Sequence, residues 1–317
     1  MRFLVIGSGT IGGLIGARLV EKGCDVAFLV RPARRVQLLT TGLALSSHFG
    51  RFRRPVTVVE PGALGDGVFD VVIIACRTQD YSGVLKLLVA HIGPETTVMP
   101  VLEGADHLVS ELIPNGGRLV GGRLEARMSL DADGRLSQRL PAAEFTIGAF
   151  DQYDTDRAEM LSRLLEGRGI TTIATDRIRS TIWERYCFVA AAIAVNAKTG
   201  LPLRDAHTLS HHESYLDRCL LEGYEIGRAL GFAPDFHRVR GYRSAYRMES
   251  RPVQPPELVQ APGRGAEQSV YLLMEMCAIA QRVGVQVPQL LSARNALLRP
   301  SELARRATDE GNASHEQ

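Results

Sequence analysis

Arg2-Phe3-Leu4-Val5-Ile6-Gly7-Ser8-Gly9-Thr10-Ile11-Gly12-Gly13 decides how the rest of the chain is read. The unbroken apolar run Phe3 to Ile6 predicts a short strand buried on both faces. It ends in Gly7-x-Gly9-x-x-Gly12, and helix-compatible sequence, Ile11 to Glu21, follows at once. Gly7 allows the tight strand-to-helix turn. Gly9 lets a pyrophosphate approach the backbone, and Gly12 lets the helix pack close on the strand. The helix start offers free N–H groups and a positive dipole end. A bare glycine pattern is weak evidence; one that follows a strand and opens a helix is the dinucleotide-binding context. Gly7, Ser8, Gly9, Thr10, Ile11 and Gly12 are therefore the expected pyrophosphate cradle.

The second strand is read at Asp25 to Val30, after a helix stop at Gly23. An acidic residue closing that strand would hydrogen-bond the ribose 2′-hydroxyl of NAD. This chain has Arg31, followed by Arg34 and Arg35. Guanidinium groups favour a 2′-phosphate, so the cofactor expected is NADP(H). The competing reading is a solvated basic loop.

Further along, Leu43–Ser47 and Pro55–Val59 read as a small antiparallel excursion. Val68–Ala75 and Thr97–Leu102 read as parallel-type strands, ending in Arg77 and Glu103. Such strand ends line the ligand crevice of a doubly wound sheet. Apolar residues at helical spacing mark Gln79–His91. Asp131 to Gly134 is a turn, Glu144–Ala149 a returning strand, and Thr155–Leu165 a helix capped by Thr155 or Asp154. Gly169–Ala174 is the last strand. From about Thr175 onward the periodicity is helical: Arg177–Lys198, Leu209–Leu230 and Glu267–Val283, with a proline-rich loop over 251–264. The expected fold is α/β, with an N-terminal Rossmann-type parallel sheet (1–174, NADP-binding) and a C-terminal all-helical domain (175–317, substrate-binding and dimerising). The substrate is expected between them.

Composition agrees. The 317 residues are too many for one ordinary domain. A net charge of +2 supplies no field for nucleic acid or membrane. Five scattered cysteines without a CxxC pair fit buried thiols in a reducing cytosol. Residues 1–6 belong to the first strand, so no signal peptide is expected and the reading is cytoplasmic. His207 and His211 stand four apart with no third ligand at a useful spacing, and read as helix-cap histidines, so no metal is expected. Trp183 reads as a core anchor. Cys76, at a strand end with no base beside it, reads as a small buried hydrophobe.

Several strings resemble the ketopantoate reductase (2-dehydropantoate 2-reductase) family. These are Gly7 to Gly13, Phe28-Leu29-Val30-Arg31-Pro32, Ile182-Trp183-Glu184-Arg185-Tyr186-Cys187-Phe188, Arg264 to Tyr271, and Gly284-Val285-Gln286-Val287-Pro288. The resemblance implies a reductase that uses NADPH on the ketone of a 2-oxo acid. It also marks departures. The family's catalytic lysine, two residues after Trp, is Arg185 here. The asparagine after the fifth strand falls on Glu103, and a lysine or related polar residue after the fourth falls on Arg77. The family's glutamate falls on Glu267 or, one register away, Gln268. A serine-bearing substrate segment is replaced by Pro255-Pro256-Glu257. Arg185, Glu103 and Glu267 are thus the expected catalytic set, with Arg31, Arg77 and Glu103 beside the cofactor.

Arginine does not release a proton in practice, but it polarises a carbonyl and pairs with a carboxylate. The acid is then Glu103 with a raised pKa, Tyr186 or a water. An ion pair of Glu103 with Arg77 or Arg185 is the structural alternative. At the level of function, the alternative is an NADP-binding relative with altered chemistry, acting as a sensor or scaffold or in a non-redox step. The partner expected is a small carbonyl compound, with a homodimer open.

Overall fold

The computed structural model describes residues 1–62, 64, 68–101, 117–200, 212–248 and 264–298, without the side chains of 212–213, 243–248 and 264–267. Strand β1 (Arg2–Ile6) is followed at once by α1 (Thr10–Glu21). Then come β2 (Asp25–Leu29), α2 (Pro32–Thr41), β3 (Leu43–Ser47), β4 (Gly50–Arg54), β5 (Thr57–Val59), β6 (Val71–Ile74), α3 (Tyr81–Leu88) and β7 (Thr97–Pro100). They continue with β8 (Arg118–Glu125), β9 (Met128–Leu130), β10 (Leu136–Gln138), β11 (Ala143–Ala149), α4 (Thr155–Leu165) and β12 (Ile170–Ala174). The remainder is helical: α5 (Ile178–Thr199), α6 (His212–Ala229), α7 (Phe236–Met248), α8 (Arg264–Val283) and α9 (Pro288–Leu298).

The main sheet has eight strands in the order β12-β11-β8-β7-β6-β1-β2-β5. From β8 to β5 all neighbours are parallel, while β11 runs antiparallel to β8. β1 is central, paired with β2 on one side and β6 on the other. Phe3 and Val5 pack into the core on one face of the sheet, Leu4 and Ile6 into the core on the other. Burial on both faces is why the sequence of β1 is unbroken in hydrophobicity. The chain order reverses between β1 and β6, which makes the carboxyl ends of those strands the expected ligand edge of such a sheet.

A second sheet, β4-β3-β10-β9, differs from the sequence expectation. The hairpin partner of Leu43–Ser47 is Gly50–Arg54, not Pro55–Val59. Residues Thr57–Val59 instead join the main sheet, parallel to β2. Periodicity missed β4 because only Phe52 of its five residues is buried. A second correction concerns Asp154. It stands at the N-cap of α4, but its side chain does not cap that helix. Its Oδ2 accepts from Leu119 N at 2.9 Å, tying β8 to the turn before α4.

Contact density divides the chain into two compact units, Met1–Tyr186 with Phe232–Pro234, and Cys187–Gly231 with Asp235–Gln317. In the first, Trp183 is fully buried, and its ring meets Tyr186 and Phe232 edge-on at 5.4 and 5.5 Å. In the second, the Glu222 carboxylate of α6 accepts from Gln289 N (2.8 Å) and Leu290 N (2.9 Å), capping α9 from outside. Burial pushes the Glu222 pKa up, against those two hydrogen bonds. A raised carboxyl pKa means the folded state holds the proton longer than the unfolded one. The stability it contributes is therefore greatest at low pH and falls as pH climbs from the ordinary carboxylate range through the folded value. Glu222→Gln should flatten that slope in melts taken across this range. Glu222→Ala should lower stability by about 2–3 kcal/mol, because it leaves two N–H groups without an acceptor.

Candidate active site at the carboxyl edge of the parallel strands

The glycine turn is built against β6. Gly7 has φ +86°, and a Cβ there would come within 2.7 Å of the Ala75 carbonyl oxygen. Its N–H donates to Leu29 O at 2.9 Å, while Ala75 N donates to Ile6 O at 2.9 Å. A Cβ on Gly12 would collide with the backbone oxygen of Gly7. Gly7 and Gly12 are therefore required by the protein itself.

Gly9 is different. Its backbone (φ −70°, ψ −156°) is extended and open to any residue, and a Cβ there would meet no atom within 4 Å. No protein atom requires glycine at this position, so the space in front of it fits an external group that must touch the backbone. Gly9 is also the N-cap of α1. No side chain caps that helix and no acidic residue lies in its first turn. The amides of Thr10, Ile11 and Gly12 are thus the helix donors without intrahelical acceptors, available to an anion. These residues fit a bound dinucleotide pyrophosphate.

The arginines after β2 divide their roles. Arg34, expected with Arg31 and Arg35 at a 2′-phosphate, turns inward. Its Nε donates to Ser8 Oγ (2.9 Å) and Ser8 O (3.1 Å), and its Nη1 donates to Gly134 O (2.7 Å). It clamps the glycine turn to the 131–134 turn, and Ser8 is buried beneath it. Arg31 is 45% exposed, is the N-cap of α2, and pairs with Asp80. Arg35 pairs with Glu60 at 2.6 Å. The basic stretch is therefore mostly the helix α2, begun at Pro32, and not a solvated loop. Arg34→Ala should weaken both NADPH and NADH about tenfold, leaving their ratio unchanged, because the clamp acts on the shared pyrophosphate cradle. Parallel binding titrations with the two cofactors check this.

Arg77 follows β6 and is half-buried. Its Nη1 and the nearby Gln79 Oε1 are buried without a hydrogen-bond partner. An orphaned buried donor and acceptor of this kind ask for an explanation, and a bound polar ligand is one. Cys76 is half-buried, and burial pushes its thiol up to about 12, so it stays protonated.

Gly7 to Gly12, Arg31 and Arg77 thus share the strand-end edge. Arg185 is half-buried on α5. Its neighbour Tyr186, an expected acid candidate, is fully buried in the core against Trp183. Glu184 is buried and faces Arg177 at 3.5 Å. Glu103 lies outside the described residues, as do the side chain of Glu267, the histidine pair 207 and 211, and the loop 251–263. Gln268, the register alternative, is buried. Among the described residues no group of His, Cys, Asp or Glu could hold a metal ion. No helix among them is long and apolar enough to cross a membrane. Gln79 was not anticipated as a site residue, and Arg34 was expected at a 2′-phosphate, not as a clamp on the glycine turn. The positive charge of Arg34 was visible, but its long-range partner was not.

Residues 3–152 match the family model described as ketopantoate reductase PanE/ApbA. A Bacillus subtilis (strain 168) protein named uncharacterized oxidoreductase YkpB is 32% identical over 204 residues, covering 64% of this chain and 67% of that protein. A 2-dehydropantoate 2-reductase of Nostoc sp. is 21% identical over 308 residues, covering 91% of this chain and 92% of the relative. Among solved structures, a D-mandelate dehydrogenase with NADH and anilino(oxo)acetate superposes with a TM-score of 0.80. That match covers 94% of this chain and 97% of that one at 16% identity, a likeness of fold.

Proposed function

The chain belongs to the ketopantoate reductase family of oxidoreductases, and we propose that it is an NADP(H)-dependent reductase. Its substrate is the ketone of a small 2-oxo acid or a related carbonyl compound. The observation that carries this reading is the open space in front of Gly9, at the uncapped start of α1. The D-mandelate dehydrogenase neighbour was solved with NADH, so the preference for NADP(H) rests on Arg31 and Arg35 at the N-terminus of α2. A 2′-phosphate would replace Asp80 and Glu60 as their counter-ions, and no carboxylate closes β2 to receive a free 2′-hydroxyl.

When bound, the dinucleotide supplies the hydride. In this reading the chain's own residues do the rest. The amides of Thr10 to Gly12 hold the pyrophosphate, and Arg77 offers its unpartnered Nη1 to the cofactor side. Arg185 stabilises negative charge growing on the ketone oxygen, or pairs with the substrate carboxylate. Since the guanidinium keeps its protons, the proton comes from Glu103 or from water, and Glu267 orients the substrate. The substrate need not be the one in the family's name, because Arg77, Glu103 and Arg185 occupy its polar positions with other chemistry. Residues 1–174 serve as the NADP-binding domain, and 175–317 supply substrate contacts and a dimer surface. No observation among the described residues favours a sensor or scaffold role.

The test is to mix purified chain with NADPH and a panel of 2-oxo acids and follow the reduced-nicotinamide absorbance. Consumption with at least one acid is the expected result. Tight NADPH binding with no consumption by any acid would leave the binding half of the proposal and remove the reductase.

A further inference from the structure

We propose that the end of α1 farthest from the glycine turn forms a second anion site, built for a small polyphosphate. A cavity of about 440 Å³ lies there, lined by the C-terminal half of α1, by β4 and by the 167–168 turn. All of these belong to the unit that contains Met1–Tyr186. The volume is that of a small-ligand pocket. The twelve residues of α1, at about 1.5 Å each, put it roughly 16 Å along the helix from the glycine turn.

Its charge is one-sided. Arg18, Lys22, Arg51, Arg53, Arg54 and Arg168 line it, against the single carboxylate of Glu21. Glu21 is already held by Arg18 Nη1 at 2.6 Å. Lys22 donates to the carbonyls of Leu164 (2.5 Å) and Glu166 (2.6 Å), which are neutral acceptors. Among the described residues, no carboxylate pairs with Arg51, Arg53, Arg54 or Arg168. The carbonyls at the end of α1 offer little compensation, since those of Arg18, Leu19 and Val20 accept from Lys22, Gly23 and Cys24 N–H groups.

The lining also contains an unmet donor. Arg18 is 3% exposed, and its Nη2 has only two long bonds, to Ser47 Oγ and Gln138 Oε1 at 3.3 Å. Its Nε is buried with no partner. A buried guanidinium N–H without an acceptor is costly, and an anion beside Arg18 would offset part of that cost through its charge. On the rim, Arg168 is held at φ +35° between Gly167 and Gly169, both also at positive φ. Non-glycine residues rarely adopt that backbone.

The rival explanation is that β4 is an edge strand and its arginines discourage further strand pairing. That accounts for Arg51, Arg53 and Arg54. It does not account for an arginine buried on α1 or one on the 167–168 turn, both facing the same space. Guanidinium forks match the oxygens of phosphate and carboxylate groups alike, and six cations around one carboxylate call for a multiply charged anion. A bounded concavity of this size favours a small ligand over nucleic acid, which needs an extended basic track.

The test is calorimetric titration of inorganic tripolyphosphate into the full chain, with and without saturating NADPH. The expected result is one equivalent that stays bound under saturating NADPH; any further equivalent held at the glycine turn is displaced by the cofactor. Arg51→Glu with Arg168→Glu should weaken it by at least about tenfold, while Arg31→Ala with Arg35→Ala leaves it unchanged. Arg51 and Arg168 are exposed, so the double variant keeps the core intact. No binding, loss of every equivalent under saturating NADPH, an unchanged affinity in the Arg51/Arg168 variant, or a preference for an oligonucleotide would each overturn the proposal. Tripolyphosphate retained by a chain that binds no dinucleotide would separate this site from the reductase reading.

Discussion

Gly9→Val leaves the melting temperature within about 2 °C of the parent and weakens both NADPH and NADH by 100-fold or more, a loss of about 2.7 kcal/mol. The first half follows from packing. The backbone at Gly9 is extended, and an added Cβ meets no protein atom within 4 Å. The second half follows from what that space is for. A branched side chain would occupy the position from which a pyrophosphate reaches the amides of α1. Gly12→Ala is the contrasting variant. Its Cβ collides with the Gly7 carbonyl oxygen, so the turn itself must move and the melting temperature drops. Loss of binding in Gly12→Ala alone would therefore say nothing about the cofactor. Loss of binding in a fully stable Gly9→Val would. A stable Gly9→Val chain with parental affinity would put the dinucleotide elsewhere.

Arg185→Ala lowers turnover by at least ~100-fold if its guanidinium stabilises charge growing on the ketone oxygen. Steady-state kinetics separate the two roles available to it. Loss in kcat with little change in KM marks a group acting in the transition state; a raised KM with kcat kept marks one that only holds the substrate carboxylate. Arg185→Lys restores the family's residue and should recover part of the lost rate, because an ammonium keeps the charge and can also donate a proton. Near-normal turnover in Arg185→Ala would remove Arg185 from the mechanism.

What could be read in advance was mostly local. The unit β1–turn–α1 is encoded within some twenty residues, and α4 falls on Thr155–Leu165 as its periodicity predicts. The dispositions that depend on distant partners were not legible. The side chain of Asp154 reaches Leu119, 35 positions away, in preference to the helix it precedes. Arg34 reaches Ser8 and Gly134, so the charge that read as a phosphate ligand serves as a clamp. β4 was invisible because three of its five residues are arginines on a sheet edge. The same three arginines line the cavity at the far end of α1, where neither motif nor periodicity pointed. Strand ends placed Arg77 and Glu103 at the ligand crevice, but the roles of both, and the position of Arg185, came only by resemblance, because each is a departure from the pattern that locates it.

The central claim is that the turn from Gly7 to Gly12, with Arg31 and Arg35 beside it, holds a 2′-phosphorylated dinucleotide. The most direct measurement is an equilibrium titration of the purified chain with NADPH and, separately, NADH, followed by nicotinamide fluorescence. Saturable binding of one equivalent, at least about tenfold tighter for NADPH than for NADH, is the predicted result. Equal or tighter binding of NADH would contradict the roles given to Arg31 and Arg35, and no affinity for either would contradict the site itself.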